Sequence, residues 1–288
     1  MRLFVFGSGY SGLALARRLQ AQGWRVTATA RNEAGRQALA AEGIAAVDPA
    51  DAAAMTRAVT GCDAVLITAP PTERGCPALP AVSAALASAG GYPDWIGYLS
   101  TTGVYGDRGG RWVRETSRLA AQSVPGARRV AAERDWLDVG RGMGLTVTIF
   151  RLPGIYGPGR SAFDRLRDGT ARRVVRPGQV FSRIHVSDLA AALQASIERP
   201  CAGGIYNLCD DEPCPPEDVV TYAAMLLGVE PPPLVVYDPD AVSSASRRFF
   251  TESKRVSNAL AKAELGWRPA FATYREGLRA ILAGEDCK

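Results

Sequence analysis

Lysine is nearly missing from this chain of 288 residues, which holds only Lys254, Lys262 and Lys288. No lysine ahead of residue 254 is therefore available for catalysis. Histidine occurs once, at His185, so no multi-histidine metal site exists. The six cysteines contain no CxxC pair. Cys209 and Cys214 lie close in sequence, but no histidine stands near enough to complete a zinc-type set. Free thiols in a reducing cytoplasm are the expectation. No apolar run approaches the length of a membrane-spanning helix. The N-terminal MRLFVFGSG runs straight into a strand and a turn, without signal-peptide architecture, so a cytoplasmic protein with no membrane partner is expected. The net charge of +5 suits an anionic ligand. The arginines are scattered rather than clustered, which sets nucleic acid aside as a partner.

What remains is the composition of a globular protein, 47% hydrophobic and 22% charged, long enough for one large domain or two joined lobes. Strand-like runs at 2–6, 24–30, 44–47, 64–68, 95–100 and 146–152 alternate with helical stretches at 32–42, 51–59, 80–88 and 127–139. The run Ala64–Thr68 (AVLIT) is continuous and apolar, as in a strand buried on both faces. The alternation predicts an α/β fold with a doubly wound parallel sheet. Beyond Pro153 the pattern loosens. Helices are expected at 186–198, 217–227, 253–265 and 273–282, and a strand at 204–209.

Gly7-x-Gly9-x-x-Gly12 falls between the first strand and the first helix. Gly7 permits the tight turn, Gly9 lets backbone N–H groups approach a pyrophosphate, and Gly12 lets helix and strand pack closely. The helix N-terminus favours the same negative charge. Gly7, Gly9, Tyr10, Ser11 and Gly12 are thus candidate cofactor contacts. A carboxylate at the end of the second strand would hold the ribose 2′-hydroxyl of NAD. Here that end reads Thr29-Ala30-Arg31-Asn32. Arg31 suits a 2′-phosphate, so NADP is expected ahead of NAD.

The chain resembles the extended short-chain dehydrogenase/reductase superfamily, epimerase/dehydratase branch, in several blocks along nearly its whole length. GSGYSG is the first. Asp48 follows the third strand, and Ala69-Pro70-Pro71 the fourth. Further along come Ser100-Thr101-Thr102-Gly103-Val104-Tyr105-Gly106, the segment Arg151–Arg160 (RLPGIYGPGR) and Arg183–Ala190 (RIHVSDLA). Tyr206-Asn207, Asp210–Pro213 and Glu264–Pro269 complete the set. The resemblance implies a Rossmann core over residues 1–152 with about 181–210. A smaller C-terminal substrate lobe would take about 153–180 and 211–288. It further implies adenine contact at Asp48 and cofactor contact at Ala69. A small-molecule substrate, often a nucleotide sugar, and commonly a homodimer are also implied. Thr101 matches the residue that hydrogen-bonds the reacting substrate oxygen.

The superfamily's acid/base tyrosine and the lysine four residues after it are missing. Anchoring on Ala131-Ala132-Glu133 puts Pro125 and Arg129 in their places, and no tyrosine lies between Tyr105 and Tyr156. Arginine stays charged, so Arg129 can bind ribose hydroxyls or phosphate but cannot shuttle a proton. The loss resembles that in atypical members of the superfamily. An NAD(P)-binding oxidoreductase or epimerase-like protein with a displaced proton donor is the leading expectation. A dinucleotide-binding sensor without turnover is the alternative.

Tyr105 and His185 join Thr101 as candidate catalytic residues, each with a bland counterpart: ring packing for Tyr105, capping of the helix at 186–198 for His185. Tyr156, Arg160 and Arg183 are candidate substrate contacts. An ion pair between Arg129 and Glu133, four apart on one helix, would explain both without function.

Overall fold

The computed structural model describes residues 1–88, 91–240 and 250–286. Its first half alternates strand and helix: β1 (Arg2–Phe6), α1 (Tyr10–Gln20), β2 (Arg25–Thr29), α2 (Glu33–Ala41), β3 (Ala45–Val47), α3 (Ala52–Thr60), β4 (Ala64–Ile67), α4 (Ala78–Ala87) and β5 (Trp95–Thr101). Then come β6 (Trp112–Val113), α5 (Val124–Met143), β7 (Val147–Leu152), β8 (Gly154–Tyr156), α6 (Ala162–Arg167), β9 (Arg173–Val175), β10 (Arg183–His185), α7 (Val186–Glu198), β11 (Ile205–Asn207), α8 (Pro216–Leu227), β12 (Leu234–Val236) and β13 (Arg255–Val256). Helices Ala259–Glu264 and Tyr274–Asp286 close the described chain. Among the described residues no helix is long and apolar enough to cross a membrane.

Seven strands pair in one parallel sheet, ordered β3-β2-β1-β4-β5-β7-β11. This is the doubly wound Rossmann arrangement, whose strand order reverses at β1. β4 (AVLI) is buried at every position, as a central strand covered on both faces must be. One face carries Leu3 and Val5 against Leu15 and Leu19 of α1 and Leu189 and Leu193 of α7. The other carries Phe4 and Phe6 against Met55, Val59, Val82 and Leu86, with Trp136 of α5 in the same cluster. A separate cluster in the C-terminal half joins Phe163, Cys214, Ala223, Tyr274 and Leu278.

Helix α5 begins three residues ahead of the expected start. Ser123 caps it by accepting from Gly126 N, and Pro125 sits in the first turn, which needs no N–H from it. Gly144, in the left-handed region, ends it. The segment 253–265, expected as one helix, contains β13 and then a short helix from Ala259. Strand β13 pairs with β6, so pairing with a segment distant in the sequence overrides the local helical pattern there.

Candidate functional site

The C-terminal ends of the central strands open on a cavity of about 280 Å³. Its lining runs from Gly9, Tyr10 and Ser11 through Ser100, Thr101 and Arg129 to Pro153, Ile155 and Arg160. Three segments distant in sequence, the glycine loop, the end of β5 and the stretch after β7, thus meet at the sheet edge where doubly wound folds bind ligands.

The glycine loop is fixed from below. Gly7 N donates to Thr29 Oγ1 at 2.9 Å, and Ser8 Oγ donates to Thr29 O at 3.1 Å. Gly7 has φ +100°, and a Cβ there would stand 2.6 Å from Thr68 Oγ1 and 2.9 Å from Ala69 N. A Cβ on Gly12 would stand 2.9 Å from Gly7 O. A Cβ on Gly9 would meet nothing within 4 Å. Gly7 and Gly12 therefore answer to the protein's own packing, whereas Gly9 faces open space. Gly9 also stands at the start of α1, where no side chain caps the helix and no acidic residue occupies the first turn. An uncovered N–H cluster beside a residue without a side chain is a fitting cradle for a dinucleotide pyrophosphate.

Arg31 follows β2 and is exposed. Among the described residues it makes no ion pair. Asp48 Oδ1 accepts from Ala50 N at 2.9 Å, and its other oxygen lies 3.9 Å from Arg36, which also pairs with Glu33 at 3.0 Å. Tyr10 spans the mouth: its hydroxyl donates to Pro158 O at 3.1 Å, and the Arg160 guanidinium lies over its ring at 5.6 Å. Burial raises the Tyr10 hydroxyl above its ordinary pKa, against the opposing charge of Arg160.

Arg129 lies on the cavity wall, where the superfamily's lysine is expected. One guanidinium nitrogen donates to Leu99 O and, at 3.1 Å, to Tyr98 Oη. The group lies over the Tyr98 ring at 5.5 Å. It does not pair with Glu133. That carboxylate is held by Arg151, with Nη2 2.8 Å from Oε2 and both side chains 3% exposed. Ser100 Oγ also donates to Glu133. The expected local pair is thus replaced by a long-range one, because Arg151 presents a fork to the carboxylate from the neighbouring strand.

Thr101 lines the cavity, and its Oγ1 accepts from Gly103 N at 3.1 Å, so its proton is free to point at a ligand. Tyr105 and His185 do not line it. Tyr105 is fully buried, donates to Asn207 Oδ1 at 2.7 Å and accepts from Arg151 Nη1 at 3.0 Å. Burial raises its pKa, with Arg151 opposing. His185 caps α7 by accepting from Ser187 N, and its ring packs edge-on to Tyr156 and Phe271. Burial pushes its pKa down to about 4. Tyr156 stands over Gly277, where a Cβ would meet its hydroxyl at 2.1 Å. Arg183 donates to Cys214 Sγ at 2.7 Å and lies over the Tyr274 ring. Of the three candidate substrate contacts, only Arg160 reaches the cavity lining.

The cavity wall also includes Thr68 and Leu99, which no motif marks, and Ser100, Leu152 and Ile155, which lie in the quoted motifs without an assigned contact. Their position at strand ends was the available signal, since ligands gather there.

A family model described as NAD(P)H-binding matches residues 7–200. The chain belongs to this NAD(P)H-binding family, whose model covers about two thirds of it. Protein YeeZ of Escherichia coli K12 is 33% identical over 250 residues, covering 80% of this chain and 85% of that protein. A 3-diazoavenalumate denitrifying reductase from a Streptomyces species is 31% identical over 148 residues, 46% of each chain. Among solved structures, a functionally unknown conserved protein from Silicibacter pomeroyi is 43% identical, covers 99% of both chains and superposes with a TM-score of 0.90. The dTDP-glucose 4,6-dehydratase DesIV of Streptomyces venezuelae, 20% identical with 100% and 98% coverage and a TM-score of 0.81, shares the fold.

Proposed function

We propose that the chain is an NADPH-dependent reductase of small electrophilic substrates, working without a tyrosine proton donor. Bound NADPH supplies a hydride; the remaining requirements fall on the chain. Gly9 and the first turn of α1 hold the pyrophosphate, with Tyr10 and Ser11 beside it, and Ala69 borders the loop. Asp48 is assigned to the adenine side and Arg31 to the 2′-phosphate. Arg129 lies on the cavity wall, and Thr101 donates a hydrogen bond to the substrate's polar atom, while the proton that follows the hydride comes from solvent.

The observation that carries this reading is the composition of the cavity wall. It holds hydroxyls and two guanidinium groups, and the one tyrosine in it, Tyr10, has its pKa raised rather than lowered. Reduction of a simple carbonyl needs an acid at the oxygen. An electrophile that spreads charge by conjugation, such as an activated alkene or a diazo group, does not need one beside the reacting atom. The relative named as a reductase of a diazo compound is consistent with that substrate type. Tyr105 and His185 are assigned packing and capping roles.

The test is NADPH oxidation by the purified chain against conjugated aldehydes, activated alkenes, diazo compounds and nucleotide sugars. Turnover with a conjugated electrophile, retained in Tyr105→Phe and reduced in Thr101→Val, is expected. Turnover confined to nucleotide sugars contradicts the reading. A second reading, a dinucleotide sensor without turnover, draws on the arginine in place of lysine at position 129; steady turnover ends it.

A further inference from the structure

We propose that Arg129 is a carboxylate-binding residue and that the substrate carries a carboxylate attached to an apolar body. This rests on the cavity being a substrate site, as argued above, and adds the chemical class of what enters it.

Arg129 makes no ion pair among the described residues. A single nitrogen, Nη1, is used internally, on Leu99 O and Tyr98 Oη, and the group lies over the Tyr98 ring at 5.5 Å. Nε and Nη2 make no hydrogen bond within the described chain. The one carboxylate on the same helix within reach, Glu133, is taken by Arg151 and Ser100. No aspartate or glutamate lines the cavity. A half-buried guanidinium tethered through one nitrogen, with two unused donor nitrogens, fits the bidentate geometry of a carboxylate.

The charges along the cavity divide naturally between two anions. Arg160 stands over Tyr10 beside the N-terminus of α1, the phosphate end. Arg129 lines the same cavity with its guanidinium held on Leu99 O, and among the described residues no hydrogen bond or ring contact joins it to Tyr10 or Arg160. A dinucleotide pyrophosphate would meet the first and leave the second uncompensated. The cavity lining also carries the apolar residues Leu99, Leu152, Pro153 and Ile155. A small aryl or alkenyl acid therefore matches the wall in both polarity and charge.

The experiment compares trans-cinnamate with trans-cinnamamide, which share shape and differ in charge. Each is titrated by calorimetry into the protein with and without NADP⁺. Cinnamate is expected to bind about tenfold more tightly or better, the size of one charge-assisted contact. Arg129→Gln should erase the contrast, and Arg129→Lys should keep part of it. Equal affinity of acid and amide for the wild type overturns the proposal, as does a contrast that survives in Arg129→Gln. Failure of NADP⁺ to bind overturns the dinucleotide assignment alone, because the contrast between acid and amide is still read on the free protein.

Discussion

The carboxylate of Glu133 on α5 and the guanidinium of Arg151 on β7 meet at 2.8 Å with each side chain 3% exposed. The pair ties the helix that carries Arg129 to the strand that ends at the cavity. Ser100 Oγ and Tyr105 Oη complete its hydrogen bonds, so neither charge is left without partners. Removing one member leaves the other buried and unpaired. Glu133→Gln should therefore cost about 3–5 kcal/mol in urea unfolding. The double variant Glu133→Leu/Arg151→Met should recover much of the loss. A single substitution that leaves the unfolding midpoint unchanged would contradict this view of the core.

Tyr105 belongs to the same network. Tyr105→Phe deprives Asn207 Oδ1 of its donor and Arg151 of one acceptor. A loss of about 1–3 kcal/mol in stability is expected, with kcat largely preserved. A folded variant with abolished turnover would return Tyr105 to the chemistry.

Gly9 and Gly12 separate ligand binding from folding. Gly12→Ala places a methyl against Gly7 O and Val5, and should lower the thermal midpoint. Gly9→Ala meets no protein atom, so the midpoint of the free protein should hold. Dinucleotide affinity should fall in Gly9→Ala, because the methyl occupies the ligand's side of the loop. Unchanged affinity in a calorimetric titration would contradict the placement of the pyrophosphate.

His185 and Asp210 give opposite pH slopes. His185 is held neutral by burial, its pKa lowered to about 4. The unfolded chain takes up that proton below about 6.5, so stability from His185 is present above that value and lost as pH falls toward 4. Asp210 is 2% exposed, and burial pushes its pKa up to about 8, with Arg183 and the Glu212 backbone opposing. Its contribution is full below about 3.9 and is lost as pH rises through 8. His185→Asn, which keeps a capping side chain, should flatten the acid limb. Asp210→Asn should flatten the decline on the alkaline side. Urea midpoints measured from pH 4 to 9 check both, and parallel curves for wild type and variants would contradict the assignments.

The strands of the large sheet were legible because each is a short apolar run bounded by turn residues, and the glycine loop because its spacing carries its mechanism. The shortest pairings were not. β6 with β13 and β9 with β12 join two- or three-residue segments far apart in the chain, too short to show a period. In the site, Thr101 and Arg160 could be read from strand-end position and motif. The partner of Glu133 could not, since helix spacing pointed to Arg129, and the true partner lies 18 residues on, on another element. The contact of Arg129 with Tyr98 was hidden for the same reason: it is made across helix and sheet.

We propose that the open glycine loop and Arg31 together select NADPH. Calorimetry with NADPH and NADH on the wild type and on Arg31→Asp tests it most directly. The expected result is a clear preference for NADPH in the wild type, reduced or reversed in the variant. Tight NADH binding that ignores the Arg31 substitution would contradict it.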